Sequence, residues 1–283
     1  MRIRRSIKPR QKHWTLFLKV LVIILISTAV WKGIHKKPAI SSDIYPYLLN
    51  LPAELVLQCQ KEGKEISPTA WADLIAIRST VTKDEELYLV QQLQQDIDFE
   101  ELSWQNSEFQ IDEAVVKQTL WKRHVLLTYP FYEPGRFVFP VIGKVWYMDT
   151  FGADREGGVR KHEGTDIFGA EGIPVISIGN GKIERLGWNR LGGERVGVRG
   201  EDGNYYYYAH LNTINPHLQE GQKVKKGDFL GTLGHTGDAL TTPDHLHFGI
   251  ELPNGEWVNP YPFLTIWQQS QEENALSQKN SIS

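Results

Sequence analysis

From Arg136 to about Leu264 the chain consists of short β-forming runs cut by glycine, and this texture restricts the fold more than any other feature. The runs are Val138–Ile142, Pro174–Ile178, Lys182–Trp188, Glu194–Arg199, Asn204–His210, Phe229–Leu233 and His245–Leu252. Gly-Asn-Gly at 179–181 and Glu-Asp-Gly-Asn at 201–204 are hairpin signals. Turns at this spacing predict an all-β sandwich or barrel-like domain. Side chains alternate across a strand, so Leu246, Phe248, Ile250 and Leu252 are expected on the core face. His245, His247, Gly249 and Glu251 then share the other face. By the same alternation Tyr206, Tyr208 and His210 are expected on one face of their strand.

The remainder divides by composition. Residues 1–42 carry ten Lys and Arg and no acid, whereas 43–283 hold 21 basic and 34 acidic residues. That acidic bulk excludes a nucleic-acid-binding role. Residues 1–13 read as a basic cytoplasmic tail. Trp14–Trp31 is almost wholly apolar and, as a helix, would span about 27 Å, near the minimum for a bilayer core. Two readings stay open for this stretch. As a signal-anchor it would tether the chain to a bacterial cell membrane through residues 14–31, with the bulk outside the cytoplasm, as the basic flank favours. As a cleavable signal, Leu16–Ile26 would be its apolar region and Ser27-Thr28-Ala29 its cleavage site, giving a secreted product. The single Cys59 excludes an internal disulfide and a cysteine-rich metal site.

Residues 41–128 read as a small acidic α-helical segment. Leu55, Val56 and Cys59 fall on one helical face, Trp71, Leu74, Ile75 and Ile77 on another, and Val115, Val116, Leu120 and Trp121 on a third. Thr82-Lys83-Asp84-Glu85 has the form of a capping box. The acids are expected to form a solvated face, and the segment to act as a spacer or to meet a protein partner of unknown kind. Tyr129–Gly135, with two prolines and a glycine, is expected to be a linker before a domain at 136–267, and 268–283 a polar tail.

Of nine histidines, His13, His35, His124, His217 and His235 flank the apolar stretch, end a helix or sit in turns. His162, His210, His245 and His247 remain. In His162-Glu163-Gly164-Thr165-Asp166, a histidine and a carboxylate four apart can converge on one ion from a bent loop, and His247 can add a third ligand. Two nitrogens, one carboxylate oxygen and a water make a tetrahedral zinc site with an open position. His245 and His210 are then left beside the metal for general base and oxyanion or acid roles. Neither His-x-His nor His-x-x-x-Asp is specific alone; their co-occurrence in one β domain is.

These residues carry a resemblance. The segment from about Phe139 to Pro262 resembles the lysostaphin/LytM-type zinc endopeptidase family, bacterial enzymes that cut peptidoglycan peptides. The matching elements are HEGTD at 162–166, GIPV at 172–175, YYYYAHL at 205–211, GQKVKKGDFLGTLGHTG at 221–237 and HLHF at 245–248. The resemblance implies a mainly β catalytic domain, with an antiparallel sheet flooring a groove. It also implies one Zn2+ per chain held by His162, Asp166 and His247, catalytic histidines His210 and His245, and peptidoglycan as substrate. The stretch from Gly135 to Phe168 is similar to a narrower sporulation branch that includes an endopeptidase acting on L-Ala–D-Glu bonds.

Two departures matter. Asp244 precedes His245 directly, where it could stabilise a protonated ring if it folds back. Gly249 stands where many members carry an acid. The rival expectations are a catalytically silent wall-binding scaffold of the same fold and a metalloprotease acting on proteins. The GQKVKKGDFLGTLG run is also similar to lipoyl-carrier hairpins, but its lysines have no isolated hairpin tip.

Overall fold

The computed structural model describes residues 44–282. The expected tail and membrane stretch at 1–31 lie outside the described residues. No helix among the described residues is long and apolar enough to cross a membrane.

Five helices come first: α1 (Ile44–Leu49), α2 (Ala53–Gly63), α3 (Ala70–Arg78), α4 (Lys83–Leu93) and α5 (Glu113–Thr128). Helix α3, AWADLIAIR, is buried over its whole circumference from Ala70 to Ile77, so it forms the centre on which α2, α4 and α5 pack. The capping box of α4 is present, with the Glu85 carboxylate accepting the Thr82 backbone N–H at 2.8 Å. The expected solvated acidic face has one exception. Asp73 is buried in α3 and pairs with Arg123 at 2.5 Å.

The strands are β1 (Val145–Tyr147), β2 (Asp154–Arg155), β3 (Arg160–Lys161), β4 (Thr165–Gly169), β5 (Pro174–Ile176), β6 (Gly181–Asn189), β7 (Gly193–Gly200), β8 (Tyr205–Ile214), β9 (Lys223–Val224), β10 (Phe229–Leu233), β11 (His245–Glu251) and β12 (Trp257–Val258). The main sheet runs β1-β4-β11-β8-β7-β6-β9, with every pairing antiparallel. Strand β10 joins β5 to β8, β12 pairs with β11, and β2 pairs with β3 apart from the main sheet. The hairpin expected at 201–204 connects β7 to β8. Residues Val138–Ile142, expected as a strand, run beside β5 without forming a regular strand. They contribute a bridge from Val141 to Val175 and backbone hydrogen bonds from Val138 N–H to Ile178 O, Ile176 N–H to Pro140 O and Ile142 N–H to Pro174 O.

Alternation in β11 is as expected: Leu246, Phe248 and Ile250 are fully buried in the core. Helix α6 (Tyr261–Ile282) covers that face with Phe263, Leu264, Ile266 and Trp267. The same helix continues to Ile282 through the expected polar tail, where Gln268 accepts from the Tyr147 hydroxyl and Gln271 from the Phe139 N–H.

Residues 129–135 differ from the expected linker. Tyr129, Phe131 and Tyr132 are buried, Phe131 stacks on Phe263 at 4.3 Å, and the Trp267 indole donates to the Phe131 carbonyl at 2.9 Å. Gln60 of α2 donates to the Tyr132 carbonyl and accepts from Ser270 of α6. Proline and glycine mark this turn, but its aromatic residues bury it. Helices and sheet therefore share one hydrophobic core.

Candidate functional site

The face of the sheet opposite α6 carries the predicted site. In register, Asp166 of β4 lies beside His247 of β11, which lies beside Ala209 of β8, while His245 lies beside Phe168. His162 reaches the row from the turn between β3 and β4. Its backbone is pinned there, His162 N–H donating to Ala153 O and His162 O accepting from Gly152 N–H.

Three side-chain atoms converge. His162 Nε2 is 3.0 Å from Asp166 Oδ1 and 3.0 Å from His247 Nδ1, and His247 Nδ1 is 3.1 Å from Asp166 Oδ1. Tetrahedral zinc with bonds of about 2.0–2.2 Å separates its ligand atoms by about 3.4 Å, so the triangle fits one such ion with slight expansion. The donor set also fits. His162 Nδ1–H donates to the Thr150 carbonyl at 2.9 Å, which leaves the Nε2 lone pair aimed into the triangle. Arg155 takes the other carboxylate oxygen, Nη2 to Oδ2 at 2.6 Å, and so turns Oδ1 inward.

Electrostatics favour the ligand forms. Burial opposes ionisation of Asp166, but the hydrogen bonds and charges of His162 and His247 outweigh it and hold the carboxyl well below the usual range. Burial pushes the His247 pKa down, against the opposing Asp166 carboxylate, so that ring is neutral.

Gly164 makes the arrangement possible. A Cβ there would stand 2.6 Å from both Cε1 and Nε2 of His247 and 2.6 Å from the Phe248 carbonyl. Gly249 has a comparable reason: its Cβ would meet the Trp257 ring at 2.6 Å. An indole thus lies over the glycine that stands in place of the acid of many members of the resembling family.

His210 reaches the site by a route that simple alternation misses. Tyr206, Tyr208 and Leu211 are all buried on the core face, which leaves two residues, Ala209 and His210, between successive core positions. The β7–β8 register slips by one residue between Val196↔Tyr208 and Glu194↔Leu211. This bulge places His210 at φ +61°, in the left-handed region where a residue with a Cβ is uncommon. Its N–H donates to Gly192 O at 2.7 Å, and its ring stands 4.9 Å from His245 and 5.9 Å from His247, centroid to centroid. His210 is therefore on the metal side of the sheet, not with Tyr206 and Tyr208.

Both of these outer histidines have their tautomer set by a backbone carbonyl. His210 Nδ1–H donates to Thr236 O and His245 Nδ1–H to Pro243 O, each at 2.8 Å. Each ring then presents an Nε2 lone pair; that of His245 is 3.8 Å from Asp166 Oδ1. Burial, with the nearby His247 and His245 rings, lowers the His210 pKa to about 3. Asp244 does not fold back on His245. It pairs with His235, Nδ1 to Oδ1 at 2.5 Å, because adjacent strand residues point to opposite faces.

A cleft of about 820 Å3 opens over these residues, lined by Phe168 on one side, Tyr205, Tyr207 and Trp257 along it, and Arg195 of β7.

With this geometry in place, residues 160–260 match the peptidase family M23. This stretch is a peptidase family M23 domain. The M23 domain is similar to the L-Ala--D-Glu endopeptidase of Bacillus subtilis (strain 168), 42% identical over 142 residues, 47% of this chain and 44% of that protein. It is also similar to the glycyl-glycine endopeptidase ALE-1 of Staphylococcus capitis, 38% identical over 108 residues, 36% of this chain and 29% of that protein. Among solved structures, the catalytic domain of lysostaphin from Staphylococcus simulans is 33% identical, covering 43% of this chain and 92% of that one, with a TM-score of 0.38. The chain thus spans less than half the length of either curated relative.

Proposed function

We propose that this protein is an extracytoplasmic zinc metalloendopeptidase that hydrolyses peptide bonds of bacterial peptidoglycan, and that L-Ala–D-Glu is the bond it cuts. The observation that carries the reading is the His162–Asp166–His247 triangle with two further histidines beside it. The similarity to the L-Ala--D-Glu endopeptidase supports the choice of bond. The basic and apolar N-terminal sequence supports the location.

His162, Asp166 and His247 would hold the zinc, one ion per chain. When bound, zinc supplies Lewis acidity, lowering the pKa of an attacking water toward ~7 and polarising the scissile carbonyl. His245, with its Nε2 lone pair facing the site, takes the water's proton and returns it to the leaving amine. His210 enters neutral because burial lowers its pKa, and its Nδ1–H bond to the Thr236 carbonyl leaves a lone pair at Nε2. Its Nε2 donates to the oxyanion once it has taken the second proton of the attacking water, which it then passes to the leaving amine.

Metal content and turnover measured on two variants test these roles. His247→Ala is expected to lose the zinc and all turnover. His210→Ala is expected to keep the zinc while kcat falls by about 10²- to 10⁴-fold. Zinc loss in the His210 variant, or zinc retention in the His247 variant, would contradict the assignment.

A further inference from the structure

The cleft over the metal triangle differs at its two ends. On the β1–β4 side, Phe168 stands 5.2 Å from His245 and stacks on the exposed Trp146 at 4.3 Å. This end is apolar. On the β6–β7 side the lining includes Arg185 and Arg195. Of the arginines on the opposite wall, Arg155 is engaged with Asp166 and Arg160 with Asp238.

Arg195 is set apart from these. It lies on the site face of β7, since Val196 and Val198 are core residues. Its Nη1 is buried with no hydrogen-bonding partner among the described residues. A guanidinium nitrogen removed from water and left without an acceptor carries a desolvation cost that a bound acceptor would relieve. The neighbouring backbone is stripped of side chains: Gly187 pairs with Arg195 across β6, and Gly197 lies two residues on. The Tyr205 hydroxyl lies over Gly197, where a Cβ would come within 2.0 Å of it. The result is a gap over Gly187 bordered by the unsatisfied Arg195 guanidinium, with the Tyr205 phenol over Gly197 and Arg185 as the cross-strand partner of Gly197, a setting suited to a planar anion.

We propose that Arg195 is a specificity-determining residue that binds a free carboxylate of the substrate, so that the enzyme takes acidic peptides with the acidic residue on the β6–β7 side of the scissile bond and the uncharged residue over Phe168. This rests on the proposed peptidase reading and deepens it, because a glycyl-glycine bridge offers no such carboxylate. Arg195 touches no reacting atom; it holds the substrate in register with the metal and His245.

The test uses the full-length, zinc-loaded protein and two peptides containing the L-Ala–D-Glu bond, one with the free glutamyl carboxylate and one with that carboxylate amidated. The wild type is expected to prefer the acid by about 10- to 100-fold in kcat/KM, chiefly through KM, and R195Q is expected to reduce that preference to within about 3-fold. R195K, which keeps the charge but not the fork, should restore part of it. A wild type that does not discriminate, or an R195Q variant that loses activity while keeping the preference, would overturn the inference. If neither peptide is cut, the peptidase reading fails on this bond. Binding of the two peptides to chelator-treated protein, read by tryptophan fluorescence, then decides the carboxylate site separately. Tighter binding of the acid that disappears in R195Q supports it, and equal binding contradicts it.

Discussion

Gly164 contributes no chemistry to the site, yet its missing Cβ leaves room for the His247 ring. Gly164→Ala would push a methyl group into that ring and into the Phe248 carbonyl, neither of which can yield without moving β11. Zinc affinity is expected to fall about 10- to 100-fold in competition with a chelator, with the fold retained by circular dichroism. Unchanged affinity would mean that His247 does not need its present position. His210 makes a second prediction, about pH. Its pKa of about 3 in the folded protein lies below the ordinary value of 6.5, so the unfolded chain binds the extra proton first. The stabilising contribution of the neutral ring is complete above about pH 6.5 and declines as pH falls toward about 3. In metal-free protein the acid-side drop in Tm should therefore be shallower in His210→Ala than in the wild type. Parallel curves would contradict the shift.

The histidines of β11 were legible in the sequence because period-two alternation separates Leu246, Phe248 and Ile250 from His245 and His247, and pairing with β4 preserves it. His210 was legible as a candidate but not in its placement. A bulge adds one residue to a strand without any local pattern, and its cause here, the hydrogen bonds to Gly192 and Thr236, comes from distant segments. Thr150, Arg155 and Arg195 went unnoticed for the same reason: what commits each of them lies in the tertiary arrangement.

At the scale of elements, the turn at 129–135 misled because proline and glycine signal a break in regular structure, not exposure. Its aromatics, Phe131 and Tyr132, enter the core between α5 and the sheet. The Tyr132 hydroxyl donates to the Leu48 carbonyl of α1 at 2.6 Å, with both residues buried. Tyr132→Phe keeps the ring and strands that carbonyl, so denaturant unfolding should show a loss of about 1–3 kcal/mol. A loss below a few tenths would mean that water replaces the hydroxyl and that the segment is looser than its burial implies. The capping box of α4, by contrast, was readable from four consecutive residues because both of its partners lie within one turn.

At the scale of the molecule, the helical segment and the M23 domain share a core through Phe131, Phe263 and Trp267. A shared core couples their unfolding. Urea transitions followed by helical circular dichroism and by tryptophan fluorescence should coincide, and Trp267→Ala should lower both midpoints together. Two resolved transitions would show that the helices fold independently and serve only as a spacer. The acidic composition of residues 43–135 hid this coupling, because charge counts describe the surface while the contact is made by a few aromatic side chains.

In the proposed function the histidine–aspartate triangle works as a hydrolytic metal centre on peptidoglycan. Its most direct test is mass spectrometry of purified peptidoglycan digested with the full-length protein, with and without a zinc chelator. New peptide termini that vanish with the chelator are expected, ending in L-Ala carboxyl groups and beginning with D-Glu amines. Folded, zinc-loaded protein that releases no new termini from walls of several compositions would contradict the proposed function and leave a silent wall-binding scaffold as the better description.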